Sequence, residues 1–147
     1  MLVSPSIAQD FQALMGLLVS LNHNRRRSLD PRIEEALGPS NYLRDFCTIR
    51  VNIGRCTGKT HFIQSNATDD DFIIVPNLNI KQFYVESGFL KTRVSTISSP
   101  IPGKPPEKVN VFYVDEPSYC FKTKESLDKF YDLAAQYQAH TIVMVGE

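Results

Sequence analysis

The hydrophobic pattern changes period part-way along the 147-residue chain. In the first part Ile7, Phe11, Leu14, Leu18 and Leu21 recur at helical spacing, which predicts an amphipathic helix over 6–23 with that stripe facing a core. A short second helix is expected before Gly38, because Asp30 can cap it, Pro31 suits its first position and Gly38 can end it. From Thr48 onward β-rich runs take over. Residues 48–53, 72–75, 109–114 and 141–145 read as strands, with 92–97 as a further short one. Residues 59–66, 80–89 and 125–138 read as helices, Asp69-Asp70-Asp71 as a turn, and 98–106 as a Pro/Gly-rich loop. Strands alternating with helices predict an α/β layered domain with a mainly parallel sheet of four to five strands. A helical extension over 1–45 precedes this core over 46–147.

Composition narrows the class without naming a function. With 42% hydrophobic and 22% charged residues the chain is an ordinary globular protein, long enough to bury a core without metal or disulfide staples. The 16 basic residues are balanced by 16 acidic ones, so the total charge gives no nucleic-acid footprint. A local patch remains: Lys81, Lys91, Arg93, Lys104 and Lys108, interleaved with Phe83, Tyr84 and Phe89, could grip a nucleic-acid backbone, although a solvated helix face is the simpler reading. Arg25-Arg26-Arg27 could touch phosphate, or simply answer a helix dipole. Cys47, Cys56 and Cys120 cannot all pair and form no C-x-x-C, which points to reduced thiols in a cytoplasmic protein. The apolar stretch 11–21 is too short to span a membrane, and the arginine run follows it rather than preceding it, so no signal peptide is expected. His23, His61 and His140 show no metal-ligand spacing.

The chemistry concentrates in Gly54-Arg55-Cys56-Thr57-Gly58-Lys59-Thr60, between a predicted strand and a predicted helix. In that context backbone N–H groups and the helix dipole converge on one point and favour an anion. Gly58 would allow close approach of phosphates, Lys59 would reach the β- and γ-phosphates, and the Thr60 hydroxyl would sit on Mg²⁺. The loop departs from G-x-x-x-x-G-K-[ST], since Ile53 stands where the first glycine belongs and Gly54 comes one place later. A second element answers it. The apolar strand Val109-Asn110-Val111-Phe112-Tyr113-Val114 ends in Asp115-Glu116, supplying a carboxylate to organise Mg²⁺ and a base for an attacking water.

Together these residues resemble the P-loop NTPases of the group with an additional strand and a catalytic glutamate. Within it, Arg55-Cys56-Thr57-Gly58-Lys59-Thr60 is similar to the Arg-x-x-Gly-Lys-Thr loop of phage terminase large-subunit ATPases and related helicase-like motors, which also tolerate a missing first glycine. The resemblance covers roughly residues 45–147. It implies a three-layer P-loop core in which strand 141–145 lies between the loop strand and the Asp-Glu strand. It also implies that Arg55 contacts the γ-phosphate as an arginine finger does, and that Tyr42 or Phe46, upstream of the loop, stacks on a base; the simpler reading of both rings is that they cover the sheet. Where such motors carry a polar sensor, Val145-Gly146-Glu147 offers only Glu147, and a complete terminase with its nuclease domain is not expected. The Leu-Ser-Gly-Gly signature of transporter ATPases, the lid arginines of small-molecule kinases and the Asn-Lys-x-Asp guanine signature are absent.

The expectation is therefore a small, phage-encoded Mg²⁺-dependent ATPase. It would use Gly54, Arg55, Cys56, Thr57, Gly58, Lys59 and Thr60 to bind ATP, Thr60 and Asp115 for Mg²⁺, and Glu116, Lys59 and Arg55 for catalysis. It would act with a protein partner, a second copy of itself or nucleic acid. The alternatives are a non-hydrolysing nucleotide-binding regulator and a scaffold with a degenerate loop.

Overall fold

The computed structural model describes residues 4–54, 58–97 and 108–147. Its centre is a five-stranded sheet, parallel throughout, built from β1 (Thr48–Val51), β2 (Phe72–Val75), β3 (Val94–Thr96), β4 (Val111–Asp115) and β5 (Thr141–Val145). The strand order is β1-β5-β4-β2-β3, so β5 does lie between the loop strand β1 and the Asp-Glu strand β4. Register pairs Val51 with Val145, Asp115 with Val145 and Ile74 with Val114, which levels the carboxyl ends of the central strands.

Parallel strands need crossovers, and the crossover helices cover both faces. Hence β2 and β5 are apolar or buried at every position and show no alternation. Ile49, Val51, Ile73, Val75, Tyr113, Val143 and Val145 pack on one side with Phe11 and Met15 of α1 (Pro5–Arg27), Phe62 and Ile63 of α4 (Lys59–Asn66) and Tyr84 of α5 (Leu78–Glu86). Phe72, Ile74, Phe112, Val114, Ile142 and Met144 pack on the other with Leu43 of α3 (Pro39–Phe46) and Phe130, Tyr131 and Ala134 of α7 (Lys124–Gln136). The result is three layers. Short α2 (Arg32–Leu37) and α6 (Pro117–Cys120) and a 3₁₀ turn over Lys91–Arg93 complete the helices among the described residues, none of which is long and apolar enough to cross a membrane.

Two kinds of departure from the sequence pattern have physical reasons. The buried stripe of α1 runs through Phe11, Met15 and Asn22, with Leu14, Leu18 and Val19 beside it, while Ile7 and Leu21 are exposed. The helix docks on a neighbouring row of the same period, because Phe11 meets the Phe62 ring edge-on and Asn22 donates to the Phe46 carbonyl at 2.8 Å. Helices α3 and α6 were not expected; each spans too few residues to display a period, and each starts with proline after a residue at positive φ. The turn before β2 is held by Asp71, whose carboxylate accepts from Thr68 and from the Val111 N–H at 3.0 Å, tying the entries of β2 and β4 together.

Phe112 is fully buried and meets the rings of Phe72, Phe130 and Tyr137. Phe112→Ala is expected to cost about 3–5 kcal/mol, the usual range for a buried aromatic truncation. Denaturant unfolding measures it, and a loss near zero would mean that this side of the sheet is not a packed core.

Candidate functional site

At the carboxyl ends of β1, β4 and β5 the chain brings together two elements far apart in sequence. Gly58, at φ +88, turns the chain into α4, so that Lys59 and Thr60 occupy its first turn. The left-handed conformation is one that a Cβ disfavours, which is the reason for glycine here. Opposite them, Asp115 is the last residue of β4 and Glu116 follows at φ +57. Lys59 Nζ donates to Glu116 Oε1 at 3.0 Å, and Thr60 Oγ1 makes a long contact of 3.5 Å with Asp115 Oδ2. The predicted phosphate lysine, metal hydroxyl, metal carboxylate and base therefore share one site.

The two carboxylates differ in environment. Asp115 is 5% exposed and accepts a 2.8 Å hydrogen bond from the Tyr84 hydroxyl. Burial raises its carboxyl above the ordinary range and the Glu116 charge adds to this, while the Tyr84 bond, Lys59 and Thr60 oppose it. Tyr84 is held protonated by its own burial and by the Asp115 charge, which keeps it a donor. Cys120 is pushed up to about 12 by burial and then by the two carboxylates, so its thiol stays protonated and donates to the Asp115 carbonyl at 3.2 Å. Glu116 is partly exposed. Its second oxygen, Oε2, accepts the Glu147 N–H at 2.8 Å.

Of the loop itself, Gly54 lies at φ +94 with its N–H toward Asn52 Oδ1 at 3.3 Å, and Ile53 is exposed. A Cβ on Gly54 would meet nothing within 4 Å, so glycine serves the backbone angle there and not a lack of space. Arg55, Cys56 and Thr57 lie outside the described residues. A groove of about 870 Å³ is lined by Arg50, Asn52, Lys122, Lys124, Gly146 and Glu147; Lys59, Thr60, Asp115 and Glu116 do not line it.

No protein-family model, curated protein or solved structure gives a significant match to the chain. The site's own geometry therefore carries the functional reading.

Other candidate residues fall elsewhere. Tyr42 and Phe46 lie on α3, which enters β1 at its amino end, so they stand at the far end of that strand from Lys59. They pack on the α3–α7 core and on each other at 5.6 Å, with Arg26 over Tyr42 and Arg25 over Phe46. Their role is to cover the sheet. In the proposed basic-aromatic patch, Tyr84 is buried and Phe89 packs on the core, leaving Phe83 as the exposed ring. Arg25 and Arg26 spend donors on the carbonyls of Phe46 and His140, binding the end of α1 to the sheet layer.

Three participants were missed by sequence reasoning. Tyr84 looked like one aromatic among several; its signal was a hydroxyl on the apolar row of a helix that follows β2. Gly146 and Glu147 drew attention only as a poor sensor, whereas their backbone reaches Glu116.

Because Asp115 titrates higher folded than unfolded, its stabilising contribution is full below the unfolded value and is lost as pH rises through the folded one. Asp115→Asn keeps an acceptor for Tyr84 without the charge. It is expected to be more stable than the wild type at neutral pH, with the gap closing in acid. Denaturant midpoints across that pH range measure this, and a variant less stable at neutral pH would contradict it.

Proposed function

We propose that the chain binds Mg²⁺·ATP through the loop 54–60 and hydrolyses it, with Glu116 as the base. The observation that carries this reading is the meeting of Lys59 and Thr60 with Glu116 and Asp115 at 3.0–3.5 Å, at the carboxyl ends of a parallel sheet. Ligands of open α/β sheets bind outside those ends, where helix N-termini point.

Each residue has work suited to its chemistry. Lys59, released from Glu116, neutralises the terminal phosphates; the glycines let the backbone approach them; and Arg55 is assigned to the transition-state charge. Glu116 takes a proton from a water as its oxygen bonds to the γ-phosphorus, and the bond to the β–γ bridging oxygen breaks to leave ADP. Glu116 is partly exposed, so water can reach its carboxylate.

The donors fit Mg²⁺. Among the described residues no three His, Cys, Asp or Glu side chains cluster as a metal cage. Mg²⁺ needs none, since it is held by one or two protein oxygens together with phosphates and waters. Asp115 and Thr60 supply a carboxylate and a hydroxyl side by side, and Asp115, whose ionised form burial penalises, would gain a counter-charge. When bound, Mg²⁺ would neutralise phosphate charge.

The Lys59–Glu116 pair also favours a second reading, a nucleotide-binding regulator without turnover, because base and phosphate ligand occupy one another. Phosphate release separates the two. The wild type is expected to turn over, Glu116→Gln to fall by about 10²–10⁴-fold with ATP still bound, and Lys59→Ala to lose both binding and rate. Equal rates in all three proteins would sink the hydrolytic reading, and tight Mg²⁺·ATP binding without turnover would establish the regulator.

A further inference from the structure

Glu116 is held by two groups with different freedom to leave. Lys59 Nζ holds Oε1, and a lysine side chain can turn elsewhere. The Glu147 N–H holds Oε2, and it belongs to backbone that is itself fixed on three sides. Gly146 N–H donates to the Val51 carbonyl at 2.8 Å, Glu116 N–H donates to the Val145 carbonyl at 2.8 Å, and Ser118 N–H donates to the Glu147 carbonyl at 2.6 Å. The end of β5 is thus bonded to the end of β1 and to the first residues after β4.

Gly146 makes the approach possible for two separate reasons. Its φ is +99°, in the region that L side chains avoid. A Cβ there would also stand 2.5 Å from Glu116 Oε2, 2.6 Å from Cδ and 2.7 Å from Oε1. The missing side chain is the seat of the carboxylate. Glu116 is itself in the left-handed region at φ +57°, unusual for glutamate, and such a conformation persists only where surrounding bonds over-determine it.

The geometry points to Gly146 and the Glu147 backbone N–H as the positioning element for Glu116, and to Oε1 as the oxygen that accepts the proton. This rests on the hydrolytic reading. When Lys59 turns to phosphate, Oε1 loses its partner while Oε2 keeps the Glu147 N–H, so the carboxylate stays seated with one oxygen open. The proton of the attacking water passes to Oε1, and the oxygen it leaves forms the new bond to phosphorus as ADP departs. No side chain at the end of β5 is required.

The seat is tested first without turnover. In the full ¹⁵N-labelled chain, NMR reads solvent exchange of the Glu147 amide in wild type, Lys59→Ala and Glu116→Ala. Slow exchange is expected in the first two and exchange about tenfold faster in the third. Exchange as fast in Lys59→Ala as in Glu116→Ala, or no response to Glu116→Ala, overturns the seat. Kinetics then test its use. Gly146→Ala is expected to lower kcat about a hundredfold with KM for ATP unchanged, and to add nothing to Glu116→Gln. A change confined to KM, or losses that multiply, overturns the positioning role. If Gly146→Ala does not fold, Glu147→Pro removes the N–H, along with a side chain the seat does not use, and should give the same kcat loss. A wild type without turnover defeats the hydrolytic reading and the role given to Oε1, while amide exchange still decides the seat.

Discussion

A parallel sheet covered by helices on both faces leaves its polar chemistry to the strand ends, and that constraint organises this molecule. Side chains along β2, β4 and β5 are consumed by packing on one face or the other. All strands point the same way, so every chain segment leaving the sheet emerges on one rim. The loop after β1, the Asp115-Glu116 pair after β4 and Gly146-Glu147 after β5 reach the same rim from different parts of the sequence. Strand order then selects neighbours: with β5 between β1 and β4, its end supplies backbone donors and acceptors to both sides. Had β4 paired directly with β1, no third strand would lie between them to hold Glu116.

The two adjacent carboxylates show how one residue of advance along a chain changes chemistry. Asp115 remains in the sheet, where the Tyr84 hydroxyl bonds its carboxylate and burial opposes its charge. Glu116 has left the sheet through an unusual backbone angle and faces Lys59, a backbone N–H and open space. A buried carboxylate that would gain from a cation and a more accessible one able to exchange partners suit different tasks. Their division follows from position at the strand end and owes little to residue type.

Much of this was legible in the chain. Helix 59–66 and strands 72–75 and 141–145 fall where the pattern placed them, because their boundaries are marked by Gly58, Asp71, Pro76 and Gly146 and their interiors are uniformly apolar or helical. The pairing of loop and Asp-Glu strand was legible because strand ends in a parallel sheet share a rim. What escaped depends on geometry that periodicity does not encode. The docking row of α1 was decided by the Phe11–Phe62 contact and by Asn22, a polar residue no apolar stripe would include. The hydrogen bond from Tyr84 to Asp115 and the fit of Gly146 against Glu116 arise across elements, and a single glycine looks the same in sequence whether it serves a turn or a seat.

The position of β1 has a mechanical consequence. Among the described strands it is an edge strand, paired with β5 alone over four residues, and it carries the loop. Edge pairings are the places where a native sheet opens locally at less than the cost of global unfolding. The half of the site on Lys59 and Thr60 therefore hangs from the sheet's margin, whereas Asp115 is rooted in a central strand held on both sides. Any strain placed on the loop passes first to the β1–β5 seam, where the Gly146 N–H bonds the Val51 carbonyl, and reaches Glu116 through the same backbone.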